Sequence, residues 1–213
     1  MENLEKKIAQ SLLQIKAIKL QPTNPFMWAS GWKSPIYCDN RKTLSYPSIR
    51  EQIRDGFVEV IKQKYGTPDA IAGVATGAIA MGVLVAQAMN LPFVYVRPKP
   101  KEHGLGNMIE GEVPEGKKVV VIEDLISTGK SSLNAVEALR KANVDVLGMV
   151  AIFTYGFSLS AQNFKESNVS LSTLSNYKVL INTALESGYI KNEDIKTLEN
   201  WRATPSNWGN KLV

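Results

Sequence analysis

The chain of 213 residues suits one domain, or one domain with a small appendage, and is long enough to bury a real core. Its 44% hydrophobic and 21% charged residues exclude a disordered chain. A net charge of +5 favours anionic ligands but falls far short of the dense basic stripe of a dedicated nucleic-acid binder.

In chain order, Leu4, Ile8, Leu12 and Ile15 stand at helical spacing and predict an amphipathic helix over residues 4–18. Pro22, Pro25, Gly31 and Pro35 break the next stretch, which carries Phe26, Trp28 and Trp32. Pro47 suits a first helical turn, and Ile49, Ile53, Phe57, Val60 and Ile61 extend a second helix to residue 65. The rhythm then changes. A short apolar run at 69–75 is followed by a helix at 78–88, the strand FVYVR at 93–97 and, after a polar loop, the β-branched strand KKVVVIED at 117–124. A helix at 130–141 precedes VDVLGMVAIFTY at 144–155, read as the last strand, and helices are expected at 176–185 and 192–201. Such alternation predicts an α/β protein with a parallel sheet covered on both faces. One domain over 1–213 is expected, in three parts: an N-terminal segment (1–45), an α/β core (46–155) and a helical tail (156–213).

The opening MENLEKKIAQ has no apolar signal region, and no stretch approaches the roughly 20 apolar residues of a membrane span. A single cysteine, Cys38, permits no intrachain disulfide and suits a reducing compartment. A cytoplasmic protein with neither membrane nor nucleic-acid partners is expected.

The strongest chemical feature is VVVIED running into LISTGKSS, residues 119–132. Ligands of open α/β sheets bind at the carboxyl ends of the strands. Here that point carries Glu123 and Asp124, then Ser127, Thr128, Gly129, Lys130, Ser131 and Ser132 at a helix start. Consecutive backbone N–H groups and hydroxyls at the positive end of a helix dipole suit a phosphate. The two carboxylates instead suit ribose hydroxyls, or a metal that also holds a diphosphate. Ser-Thr-Gly is also a routine helix cap, and for those residues alone capping is the stronger reading. TGKSS lacks the first glycine of a P-loop, since Asp124 stands in its place. Two adjacent carboxylates at the end of a buried strand repel, which a ligand or cation would offset.

Two other segments carry candidate chemistry. Residues 97–111 combine Arg97, Lys99, Lys101 and the only histidine, His103, with Pro98, Pro100, Gly104 and Gly106. A segment so punctuated cannot build a core, but it can close over a polyanion as a lid. In VATGAIA, residues 74–80, the small residues Thr76, Gly77 and Ala78 offer backbone N–H groups to a diphosphate. Tight helix–strand packing through Gly77 explains them equally well.

The acidic pair followed by a TGxS loop resembles the signature of the type I phosphoribosyltransferases. The run RPKPKEHGLGNMIEG at 97–111 resembles the mobile catalytic loop of the orotate phosphoribosyltransferases, and SGWKSPIYCDNR at 30–41 resembles their N-terminal signature. Three motifs in family order span nearly the whole chain. The resemblance implies the type I phosphoribosyltransferase fold, a mostly parallel sheet flanked by helices, with a small N-terminal hood and a helical C-terminal tail. It implies transfer of the phosphoribosyl group of phosphoribosyl pyrophosphate (PRPP) to N1 of orotate, giving orotidine 5′-phosphate and diphosphate. Lys101, His103 and Asp124 are then the catalytic set, with His103 a candidate proton donor to the leaving group. Glu123 and Asp124 hold the ribose, Thr128 to Ser132 hold the 5′-phosphate, Leu125, Ile126, Ser127, Thr128, Gly129, Lys130 and Ser131 count among the PRPP-binding residues, and Thr76, Gly77 and Ala78 form a pyrophosphate loop. Arg97, Lys101 and His103 cover the diphosphate and reach into the neighbouring subunit of a homodimer with shared sites. Mg²⁺ arrives with PRPP and has no dedicated protein ligands.

The sequence also departs from that pattern. Ala29 and Pro98 stand where many members carry basic residues, and Thr76-Gly77 replaces a Tyr-Lys pair. No basic residue occurs in FTYGFSLS (153–160), where members place an arginine for the orotate carboxylate. Ser127 matches an orotate-contacting position, Lys33 and Arg41 are candidates for the missing charge, and Tyr37 is either a stacking partner for the pyrimidine or an ordinary rim aromatic. Cys38 reads as a buried small hydrophobe, and Trp201 and Trp208 as packing of the tail. A purine phosphoribosyltransferase would share the acidic pair, but not the 30–41 and HGLGN motifs. A non-catalytic regulator would lose part of the lid or add a nucleic-acid module, and the sequence shows neither.

Overall fold

A computed structural model describes residues 2–28, 31–99, 108–112 and 115–209. Helix α1 (Glu2–Gln14) buries Ile8 and Leu12, yet it ends short of the expected residue 18. Lys16 takes a left-handed φ of 56°, and the N–H groups of Lys16 and Ala17 close on the carbonyls of Leu13 and Leu12. The chain leaves the helix there and forms β1 (Ile18–Leu20), which pairs antiparallel with β4 (Ile36–Cys38). Between them β2 (Phe26–Met27) pairs with β3 (Lys33–Ser34). These two short pairs form the hood.

A 3-10 helix (Asn40–Ser45) leads into α2 (Pro47–Tyr65), where Pro47 occupies the first turn as expected. Next come β5 (Ala70–Val74), α3 (Ile79–Met89), β6 (Phe93–Val96) and β7 (Ile109–Glu110). Then β8 (Lys118–Ile126), α4 (Lys130–Lys141) and β9 (Asp145–Thr154) complete the middle of the sheet. The last elements are α5 (Ser158–Glu166), β10 (Leu171–Asn176), α6 (Tyr177–Glu186) and α7 (Asn192–Ala203).

The six-stranded sheet runs β10-β9-β8-β5-β6-β7, parallel throughout except for the antiparallel β6–β7 pair. The strand at 144–155 is therefore not the last. Leu171–Asn176 adds an edge strand beyond it, so the part after residue 156 is not purely helical. Its sequence, LSTLSN, has no β-branched aliphatic residue, and a half-buried edge strand needs few apolar positions. Helix α5 was also unanticipated, because its buried face is only Ser160 and Phe164.

Alternation along β8 places Val120 and Ile122 in the core shared with α1, α2, α3 and α6. Val119 and Val121 lie in the core shared with α4 and with Phe164 of α5. Burying each such side chain contributes about 1.5–3 kcal/mol. Trp201 of α7 is fully buried and meets the rings of Trp28, Tyr155, Phe157 and Tyr177 at centroid distances of 5.4–5.6 Å. That aromatic cluster ties the hood to the tail.

Candidate active site

Strand β8 carries the acidic pair and continues for two residues past it. Ile126 is fully buried, its carbonyl accepts from the Tyr155 N–H, and Leu125 pairs with Phe153 of β9, so both residues pack and extend the sheet. Glu123 is 5% exposed; its Oε1 accepts from the Asp124 N–H at 2.8 Å and its Oε2 from the buried Ser132 hydroxyl at 2.7 Å. Burial, reinforced by the neighbouring charge of Asp124, pushes the Glu123 carboxyl up to about 8.

Asp124 reaches the mouth of the cleft. Its carboxylate lies against Gly77, where any Cβ would collide with it. The end of β8 and the β5–α3 turn therefore meet at one carboxylate. Gly77 packs closely, and the nearest atoms to it are those of the Asp124 carboxylate. Thr76 is exposed and Gly77 half-buried, and among the described residues neither N–H donates to a backbone carbonyl, whereas Ala78, buried, donates to Val74. The turn that carries these two N–H groups thus lies beside the acidic pair.

After Ile126 the chain turns through Ser127 and Thr128 to Gly129. The Thr128 carbonyl accepts from Asn163 Nδ2 at 2.9 Å, and Gly129 sits at φ 80° with its α-carbon close to the Phe164 ring. Glycine is required there twice over, by backbone angle and by space. Gly129 is itself the N-cap of α4 and makes no side-chain cap hydrogen bond. The capping reading of Ser127 and Thr128 is thus not realised, and the first N–H groups of α4 keep their need for an acceptor. Lys130 and Ser131 are exposed beside them. Trp32, Thr128, Lys130 and Asn163 also line a groove of about 550 Å³.

Arg97 closes β6. Its N–H donates to Met108 at 2.8 Å and its guanidinium lies 3.6 Å from Glu110 of β7. The β6–β7 pair thus forms the stem from which the 98–111 segment springs. Lys101 and His103 lie outside the described residues. Lys99 is exposed.

The base-side candidates come from the hood. Tyr37 is 40% exposed and its ring lies 5.6 Å from that of Phe26. Arg41 donates to Asp39 at 2.7 Å, and the charge of Asp124 acts on it as well. Lys33 Nζ lies 3.5 Å from the Gly209 carbonyl, towards the tail. Burial pushes the Cys38 thiol well above its usual range, which removes it as a nucleophile.

Sequence reasoning missed two residues here. Asn40, only 1% exposed, donates from Nδ2 to the Asp124 carbonyl at 2.6 Å. Arg202 of α7 donates to the Gly156 carbonyl at 3.2 Å, bringing a cation to the end of β9 where residues 153–160 supply none. It also lies over the Tyr177 ring, at 5.8 Å. Asn40 stood within a motif already singled out. No local signal marks Arg202.

Among the described residues, no three His, Cys, Asp or Glu side chains cluster as a metal cage, and no helix is long and apolar enough to cross a membrane. The acidic donors at the cleft are Glu123 and Asp124.

Comparison with known proteins gives a consistent result. Residues 44–186 match the phosphoribosyl transferase domain family. The chain is 61% identical over 208 residues to the orotate phosphoribosyltransferase of Phocaeicola vulgatus, covering 98% of each chain. It is 58% identical over 209 residues to that of Porphyromonas gingivalis, covering 98% of this chain and all of the relative. Its fold superposes on the crystal structure of orotate phosphoribosyltransferase from Aeropyrum pernix with a TM-score of 0.75 at 28% identity, over 86% of this chain and 99% of that one.

Proposed function

From the premise that the chain belongs to the orotate phosphoribosyltransferases, we propose how its cleft divides the labour of the reaction. The enzyme transfers the phosphoribosyl group of PRPP to orotate, giving orotidine 5′-phosphate and diphosphate, a step of pyrimidine biosynthesis. One observation carries the assignment of parts: the Asp124 carboxylate lies against the β5–α3 turn at Gly77, and the strand that bears it runs on into the uncapped start of α4. A ribose bearing a phosphate at one end and a diphosphate at the other has this same order of groups.

The 5′-phosphate is held by the N–H groups and hydroxyls of residues 128–132, aided by the α4 dipole. Glu123 and Asp124 hold the ribose hydroxyls, Asp124 directly and Glu123 by bonding the Asp124 N–H. Thr76 and Gly77 hold the diphosphate from the floor, and Arg97, Lys101 and His103 hold it from the lid. Orotate lies between the hood and Ser127, with Tyr37 on its face and Arg41 or Lys33 at its carboxylate. The C1–O bond breaks through an oxocarbenium-like transition state, its electron pair leaves with the diphosphate, and N1 of orotate bonds C1 as its N–H proton passes to water. Charge on the departing group is what must be stabilised, and cationic side chains with aimed N–H groups do so. His103 gives the leaving group a proton.

Mg²⁺ fits this donor set. An octahedral ion that keeps waters and phosphate oxygens asks for few carboxylates, and Asp124 offers one while buried Glu123 is taken up by the Asp124 N–H and Ser132. Bound with PRPP, it offsets the diphosphate charge. The functional unit is a homodimer in which each lid covers the partner's site. Helix α3 supports this: it has no charged residue and leaves Val83 44% exposed. The setting is the cytoplasm, in keeping with a single cysteine that is left a free thiol. The test is an absorbance assay with PRPP, Mg²⁺ and each of orotate, uracil, adenine and xanthine. Turnover of orotate alone is expected, and turnover of a purine without orotate overturns the reading.

A further inference from the structure

We propose that Asn40 is a positioning residue that holds the hood in register with strand β8 by clamping the main chain of Asp124. The contact joins residues 84 positions apart in sequence, at 2.6 Å, with Asn40 almost wholly buried. Its orientation is chemically forced. The Asp124 carbonyl only accepts, so Nδ2 must face it, and Oδ1 is left to accept from the Cys38 thiol at 3.3 Å. The Asn40 carbonyl in turn accepts from the buried Thr43 hydroxyl at 2.6 Å. The amide is therefore fixed on both sides and its backbone anchored in the 3-10 helix. A thiol that stays protonated is what the second bond needs, and loss of solvent around partly buried Cys38, reinforced by the charges of Asp124 and Asp39, favours it.

The consequence follows from where the two ends of this clamp lie. Asn40 directly follows the segment carrying Lys33 and Tyr37 and precedes Arg41, whereas Asp124 belongs to the ribose side. Asn40 thus sets the distance between the base and the ribose, and hence between N1 of orotate and C1 of PRPP. This inference rests on the two-sided reading of the cleft given above. A misplacement of about 1 Å between reacting atoms costs on the order of 10²-fold in rate. PRPP binding, built from β8, the start of α4 and the β5–α3 turn, should be nearly indifferent to the same slip.

The test uses the full chain with Asn40→Leu, which keeps the volume and removes the donor, together with Cys38→Ala and Cys38→Ser. Measured are kcat per titrated active site, the Kd of Mg·PRPP by calorimetry, and Tm. Expected for Asn40→Leu is a kcat lower by about 10-fold to 10²-fold, with PRPP affinity within about threefold. Cys38→Ala should lower kcat in the same direction by less, and Cys38→Ser should restore it, because a hydroxyl also donates to Oδ1. A merely structural role would lower Tm and the active fraction while leaving kcat per site unchanged, and that result overturns the proposal. So does a loss of PRPP affinity in step with kcat, or a Cys38→Ser enzyme as impaired as Cys38→Ala. If Asn40→Leu fails to fold, the Cys38 pair decides the matter alone. Inactivity of the wild-type chain on orotate would sink the functional reading instead, a distinct outcome.

Discussion

The proposed phosphoribose end and the proposed base end of the cleft are built in different ways. The phosphoribose end is one continuous strand–loop–helix, β8 into α4, met by a single turn from β5, and its donors are mainly backbone N–H groups. The base end is gathered from the hood, the end of β9 and helix α7, through contacts such as Asn40 to Asp124 and Arg202 to Gly156. Its floor is the aromatic cluster around Trp201. Backbone donors on a rigid element tolerate side-chain change, whereas side chains assembled from distant segments depend on the packing between them. The two ends should therefore fail differently.

The largest expected effect falls on the base end. Trp201→Ala removes a fully buried ring from beneath the hood and should cost about 3–5 kcal/mol in chemical denaturation. In the folded fraction, orotate KM should rise more than PRPP KM; equal rises would erase the proposed division. Next, Gly77→Ala drives a Cβ into the Asp124 carboxylate. We expect kcat/KM to fall on the order of 10²-fold with the aromatic cluster undisturbed, as read by tryptophan fluorescence. Near-wild-type kinetics would mean that the turn and the acidic pair are not one site.

A third prediction concerns pH. The unfolded chain releases the Glu123 proton near 4.5, and the folded chain keeps it up to about 8. Between those values the folded state binds the extra proton, so stability falls as pH rises, and the penalty is complete above 8. Glu123→Gln keeps a partner for the Asp124 N–H and for Ser132 while removing that penalty. Its stability gain over wild type, read by Tm, should be near zero at pH 4.5 and grow by roughly 1.4 kcal/mol per pH unit, to several kcal/mol by pH 8.5. A gain independent of pH would show that Glu123 is not protonated in the free enzyme. Smallest, Arg41→Ala and Arg202→Ala should each raise orotate KM several-fold, up to about 10-fold or 1.4 kcal/mol, leaving PRPP KM unchanged. An unchanged orotate KM for Arg41→Ala removes Arg41 from the base end.

Local pattern alone determined much of this protein. The β-branched run before Glu123, the helix at Lys130–Lys141 and the Pro47 start of α2 were legible because strand, loop and cap signals are short-range. The strand, loop and helix of the proposed phosphoribose end were legible for the same reason: they are neighbours in sequence. Strand β10, helix α5 and the end of α1 escaped because the local signal was weak. Strand β10 is a polar edge strand recruited by pairing with β9, and α1 stops at a left-handed Lys16, a residue that gives no warning of that conformation. The base end was decided by the tertiary structure. Asn40 gains its partner across 84 residues and Arg202 across 46, and contacts of that span exist only once the sheet has formed and the tail has folded back over the hood.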